Sequence, residues 1–257
     1  MHAGWPKFAQ RAVGWSVAAG AITVNMWAPL AATTPLGAVT IATDYPFGDT
    51  ATVTVAPSGS GAVPVWLRIP SWASAATLSV NGGAPQPLAG SNGTFYPASA
   101  AGGAATTFTL AFNPEIRLET YFNGAVAVVR GALLYGAWIG QTITVTRSYY
   151  NNSKDLAITS TTPWNLALVV DRANPSAGLT FSRVGAPGQV PFNSTSPPVV
   201  ITGTARVVAA WGTAKNAPEG PPASPACGAA GACGDAVPVT FVPFGSSHVR
   251  MAVLPTA

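Results

Sequence analysis

Eight carboxylates are the sequence's main candidates for acid–base chemistry: Asp44, Asp49, Glu115, Glu119, Asp155, Asp171, Glu219 and Asp235. Hydrolysis of a glycosidic bond needs two of them across a sugar, about 5–5.5 Å or about 6.5–9.5 Å apart. Glu115 and Glu119 come nearest by pattern, but four residues of strand span about 13 Å, which is too far. They read better as a solvated strand face beside Arg117. Asp44 and Asp49 flank a Pro-Gly turn, where short acidic side chains hold backbone N–H groups. His2 lies in the N-terminal tail and His248 comes after Gly-Ser-Ser near the other end, and no G-x-S-x-G is present for either to serve. No phosphate loop, EF-hand loop or H-E-x-x-H occurs. No catalytic, cofactor-binding or metal-ligating residue is therefore assigned.

Two features remain. Cys227 and Cys233 stand close together among Gly and Ala with no histidine nearby, a poor zinc signature. Two readings stay open for them: a small disulfide-closed loop, if the compartment is oxidising, or two free thiols. Of the eight tryptophans most sit in apolar context and read as core. Trp66 and Trp72 lie on, and just beyond, a strand that alternates, so they are the candidate carbohydrate contacts.

The elements that would position these residues are short and extended. Charged residues make up 8% of the chain, against about 25% in an average globular protein. Hydrophobic residues make up 48%, and 27 glycines and 24 prolines break the chain too often for long helices. A net charge of +4 without a basic run excludes nucleic acid as a partner. Strands are expected at Ala51–Val55, around Val65, Leu67 and Ile69, at Phe108–Phe112, and where Ile116 and Leu118 alternate with Glu115, Arg117 and Glu119. Asn81-Gly82 is a hairpin turn signal. The run Val126–Trp138, VAVVRGALLYGAW, reads as a strand buried on both faces. Its single charge, Arg130, either finds a partner or snorkels. Further strands are expected at Thr142–Thr146, Ile158–Leu168, Ile201–Trp211, Val237–Phe241 and His248–Val253. The Pro/Gly/Ala-rich stretch Pro218–Ala236 is a long loop.

Before the strands, Pro6–Trp15 reads as a helix with Phe8, Ala12 and Trp15 on one face, and Ile22–Trp27 alternates like a strand. The uncharged run Ala12–Ala32 mimics a signal peptide or anchor, but Gly14, Gly20, Asn25 and Pro29 interrupt it. No membrane association is expected. Sequons at Asn92, Asn151 and Asn193 are compatible with a secreted or extracellular location without assigning one.

Several stretches resemble the β-L-arabinofuranosidase-like glycoside hydrolases, family 127. TDYPFGD, LRIPSWA and VNG, at Thr43–Asp49, Leu67–Ala73 and Val80–Gly82, match the hallmarks of that family's first β-sandwich in order and spacing. VAVVRGALLY resembles its V-A-x-x-R-G-P-L-x-Y strand, with Ala132 at the proline position. WNLALVVD at Trp164–Asp171 and VTFVPFGSSHVRMAVLP at Val239–Pro255 resemble later motifs. HAGWPKF at His2–Phe8 looks like the segment just after the family's Cys-Cys pair, and AITVNMWAP like the next strand. The resemblance implies an all-β chain of two tandem β-sandwiches, 31–121 and 122–257. Residues 1–30 would be a short helix and strand left from a missing (α/α) barrel. It implies that the family's nucleophilic, zinc-binding cysteines lie upstream, so that this chain has no cofactor of its own. The implied partners are the catalytic barrel and plant-type or cell-wall glycans. The alternative is a stand-alone carbohydrate-binding or structural β-sandwich.

Overall fold

Alternation with a period of two buries one face of a strand and leaves the other to solvent. Most of this chain obeys that rule. In a computed structural model that describes residues 4–16, 18–215 and 217–257, contacts divide the chain into Met1–Pro114 and Glu115–Ala257. His2 and the Trp5 side chain lie outside what is described.

The first unit holds helix α1 (Gly4–Gln10) and strands β1 (Val13–Ser16), β2 (Ala21–Val24), β3 (Leu30–Thr34), β4 (Gly37–Thr43) and β5 (Thr50–Pro57). Next come β6 (Val63–Arg68), β7 (Thr77–Val80), β8 (Gln86–Pro87), β9 (Phe95–Ala100) and β10 (Thr106–Ala111). One sheet runs β1-β2-β6-β9, the other β3-β4-β5-β10-β7-β8. Ala51, Val53 and Val55 of β5 are buried in the same core as Val65 and Leu67 of β6 and Ile22 and Val24 of β2. The two sheets thus make a sandwich. Each such valine, leucine or isoleucine contributes about 1.5–3 kcal/mol by leaving water. Asn81 and Gly82 both have positive φ, 48° and 73°, as the hairpin signal requires.

The N-terminal expectation is corrected in one respect. The helix ends at Gln10, and Trp15 lies in β1, paired with Ile22 of β2. Trp15 therefore cannot share a helix face with Phe8. β2 runs parallel to β6, with Ile22 opposite Val65 and Val24 opposite Leu67. Residues 21–24 are thus an interior strand of the first sandwich.

The second unit contains β11 (Ile116–Thr120), β12 (Val126–Arg130), β13 (Leu133–Ala137), β14 (Gln141–Ser148), β15 (Lys154–Ser160) and β16 (Leu166–Val169). Then come β17 (Thr180–Arg183), β18 (Val199–Val207), β19 (Thr213–Ala214), β20 (Ala217–Pro218), β21 (Ala236–Pro243) and β22 (Val253–Leu254). Its main sheet runs β11-β12-β13-β21-β18-β16. The C-terminal segment curls it back on itself: β22 pairs with β12, while Thr256 bridges to Leu168 of β16. The division falls before β11 and not at 121, because Ile116–Thr120 hydrogen-bonds along the whole of β12.

VAVVRGALLYGAW is two strands and not one. Val126–Val129 are buried as expected, and then the chain turns at Gly131, φ 58°, so that Arg130 faces Leu133. Ala132 sits in that turn. The Arg130 guanidinium lies 3.5 Å from the centre of the Phe181 ring, a cation–π contact on a half-buried side chain. Among the described residues no helix is long and apolar enough to cross a membrane.

Candidate functional site

Three of the stretches that resemble family motifs, AITVNMWAP, TDYPFGD and LRIPSWA, meet at one end of the first sandwich. Because β2 and β6 are parallel, the residues just beyond them emerge side by side: Asn25–Ala28 after β2, and Pro70–Trp72 after β6. The turn between β4 and β5 brings in Tyr45 and Pro46. Together with Phe8 and Arg68 these residues line an open cavity of about 640 Å³, within the range of small-molecule sites.

One buried ring holds the aromatic wall. Phe112, fully buried at the end of β10, makes edge contacts with Trp27 at 5.2 Å and with Tyr45 and Trp72 at 5.9 Å each, centre to centre. Its own N–H donates to the Asp49 carbonyl, 2.8 Å, which ties β10 to the far side of the Tyr45 turn. Within that turn the Thr43 hydroxyl donates to the Thr50 carbonyl and accepts the Tyr45 N–H. The Asp44 carbonyl accepts the N–H groups of Phe47 and Gly48. The main-chain carbonyls of Asp44 and Asp49 thus both take part in fixing the turn. The Trp27 indole N–H donates to the Arg68 carbonyl, 3.1 Å.

The polar groups of the cavity are few. Asn25 donates through Nδ2 to the Arg11 carbonyl, 2.8 Å. Burial pushes the Tyr45 hydroxyl above its ordinary pKa of 10.0, and the Arg68 cation pulls partly back. The Arg68 guanidinium has no ion pair among the described residues. A planar cation sharing a cavity with a phenol and an indole can grip a carboxylate or a hydroxylated ring. Phe8 and Ala28 also line an adjoining apolar cavity of about 460 Å³, together with Trp15 and Leu30. Phe8 and Trp15 are 50% and 49% exposed.

Of the two candidate sugar-contact tryptophans, Trp72 lines the larger cavity and Trp66 does not. Trp66 is half-buried on the outer face of β6, between its partners Thr23 and Pro97. Trp27, Tyr45, Arg68 and Phe112 were not singled out from sequence. Three of them stood in stretches that resemble the family, WAP, TDYPFGD and LRIPSWA, and that was the available signal.

Elsewhere, Cys227 and Cys233 are joined as a disulfide. Glu115 and Glu119 are both exposed, and Glu119 accepts the Tyr121 hydroxyl at 3.4 Å. His248 is exposed and contacts Gln141 through Nδ1 at 3.1 Å. Among the described residues no three His, Cys, Asp or Glu side chains cluster as metal ligands would.

The fold and the cavity define a class: an all-β protein with a sandwich first unit, its motif-bearing loops gathered around an aromatic hollow. Residues 21–101 match the family described as beta-L-arabinofuranosidase, GH127 middle domain, which bears out the resemblance over that stretch. No curated protein matches the chain by sequence. Among solved structures it is similar to a GH127 beta-L-arabinofuranosidase from Geobacillus stearothermophilus T6, at 17% identity and TM-score 0.59, over 97% of this chain and 35% of that one. A glycoside hydrolase matches at 18% identity and TM-score 0.56, over 96% and 37%. A GH127 beta-arabinofuranosidase matches at 16% and 0.55, over 94% and 36%. The likeness is one of fold. The chain spans about a third of the length of these structures.

Proposed function

We propose that this chain is the β-sandwich portion of a β-L-arabinofuranosidase-like glycoside hydrolase, and that it supports a catalytic barrel without performing hydrolysis itself. The observation that carries the reading is the match of residues 21–101 to a domain described as the middle one of its family. A middle domain has neighbours to hold. The apolar side chains of Phe8 and Trp15, half exposed beside the aromatic cavity, supply a surface for that task. The carboxylates supply no counterpart to a glycosidase pair. Glu115 and Glu119, the nearest by pattern, are both exposed and four residues apart at strand spacing.

Two measurements test this. The DNA immediately before the Met1 codon is expected to continue in frame into a helical barrel with a Cys-Cys pair, and an in-frame stop there would count against the reading. Purified chain is expected not to turn over an aryl β-L-arabinofuranoside, and turnover abolished by a zinc chelator would overturn it.

A second reading is favoured by Trp72, Tyr45 and Arg68 sharing one cavity: a carbohydrate-binding module for plant-type or cell-wall glycans. An indole face, a phenol and a free guanidinium are what a sugar ring with hydroxyl or carboxylate groups would meet. Quenching of tryptophan fluorescence by arabino-oligosaccharides, lost in Trp72→Ala, is the expected signature. Its absence at millimolar glycan would leave the supporting role alone.

A further inference from the structure

The first unit is nearly without charge. Between Met1 and Pro114 lysine, arginine, aspartate and glutamate occur at Lys7, Arg11, Asp44, Asp49 and Arg68 alone. Of these, Arg68 lines the aromatic cavity, and among the described residues no acidic side chain lines it too. The main chain fixes where Arg68 stands. It pairs with Phe95 across the β6–β9 ladder, and its carbonyl accepts the Trp27 indole N–H. Its side chain is exposed.

The cavity offers a ligand mostly donors. Arg68 presents a planar fork of N–H groups. Tyr45 is half-buried and keeps its phenolic proton at neutral pH, because burial pushes its pKa above 10.0. Ser71, exposed at the rim, adds a hydroxyl. A neutral sugar brings hydroxyl protons that need acceptors. Apart from hydroxyls, the side-chain acceptor among the described lining residues is Asn25 Oδ1, whose Nδ2 already donates to the Arg11 carbonyl. A carboxylate reverses that demand. It brings acceptors only, and it takes two parallel N–H bonds from a guanidinium.

We propose that this cavity binds an acidic glycan, with the carboxylate of a uronic-acid residue on the Arg68 guanidinium and its ring against Trp72. The inference rests on the carbohydrate-binding reading of the same cavity and narrows it from glycans in general to uronate-bearing ones. Trp72 is half-buried, so part of its indole is left to meet the ring. The Tyr45 phenol donates to the carboxylate or to a neighbouring hydroxyl. With so few charges in this unit, the sign of the site rests on Arg68.

Isothermal titration calorimetry on the full chain tests this with three probes: trigalacturonate, its methyl ester and a neutral arabinotriose. Trigalacturonate should bind with a dissociation constant below about 1 mM. The ester has the same rings without the charge, and should bind about ten- to a hundred-fold more weakly, the worth of a charge-assisted hydrogen bond. Arg68→Gln should bring trigalacturonate down to the level of the ester and leave the ester unaffected. Arg68→Lys should restore part of the preference, because it returns the charge without the fork. Added salt should weaken the acid and not the ester. Trp72→Ala should weaken both. Equal binding of acid, ester and arabinotriose overturns the proposal and leaves the carbohydrate reading standing. Binding of none of the three at millimolar concentration overturns both. Displacement of trigalacturonate by equimolar acetate overturns the proposal as well, since the site would then read a charge and not a sugar. Arg68 is exposed, so its variants should keep the wild-type melting temperature. If one unfolds, acid against ester on the wild-type chain decides alone.

Discussion

Replacing Phe112 by alanine should cost the first unit more than almost any other single change. The ring is fully buried, and it is the common neighbour of Trp27, Tyr45 and Trp72. Truncating a buried phenylalanine costs about 3–5 kcal/mol, from lost transfer energy plus the cavity left behind. Each edge contact adds about 0.5–1.5 kcal/mol beyond area, so three of them favour the upper part of that range. Phe112→Leu keeps most of the volume and loses the ring contacts, and should cost about 1–2 kcal/mol. At about 4 °C per kcal/mol for a unit of this size, the alanine variant should melt on the order of 12–20 °C lower. Urea unfolding followed by tryptophan fluorescence reads the effect, and near-ultraviolet circular dichroism reports the looser setting of the indoles. A loss below about 1 kcal/mol in Phe112→Ala would refute the view that this ring anchors the cavity wall, since a well-packed buried ring cannot leave so cheaply.

Other expectations rest on single features. Replacing both Cys227 and Cys233 by serine should lower stability by about 2 kcal/mol, small because the closed loop is short, read as a fall in the urea midpoint. Gly102→Ala should cost about 1–3 kcal/mol in thermal unfolding, because a Cβ there would lie 2.0 Å from the Ser60 carbonyl oxygen. The Tyr45 phenol should titrate above 10.0 by phenolate absorbance, and Arg68→Ala should raise it further by removing the cation that holds it down. Because its folded pKa lies above the unfolded one, Tyr45 contributes stability that is complete below about pH 10 and lost as pH rises through the folded pKa. Unfolding free energy that rises with pH above 10 would contradict that sign.

Alternation in the sequence was enough to place most of the strands that build the two cores. β5, β6 and β10 show inward Val, Leu and Phe against outward Thr, Trp and Arg, and the side chains fall as the period-two rule demands. Asn81-Gly82 was legible because left-handed backbone at two successive positions admits few residue types. The features that escaped were set by pairing between distant strands. Nothing in Ile116–Thr120 says that its partner is β12, so the border fell several residues late. Trp15 fits a helical face and a strand equally well, and only Ile22 across the ladder decides for the strand. The cavity was hidden for the same reason. Trp27, Tyr45 and Trp72 come from three loops that a parallel β2–β6 pair and one turn bring together. Period two marks Phe112 as buried but not as a shared anchor. The spacing of Cys227 and Cys233 permits a bridge without requiring one.

The parallel pairing of β2 with β6 also has a consequence for how the chain emerges from a ribosome. Ile22 and Val24 leave the ribosome before their partners Val65 and Leu67, which come about forty residues later. At about 5–20 residues per second that is a wait of about two to eight seconds. For that interval an apolar strand waits with one neighbour, β1, on one edge and none on the other. A parallel pair also needs its long crossover closed before the pairing is rewarded, so β2 is expected to dock late in folding of the first unit. Holding chaperones that bind short extended apolar segments would find their target at Ala21–Val24, and slowing translation upstream of Val65 would lengthen their window.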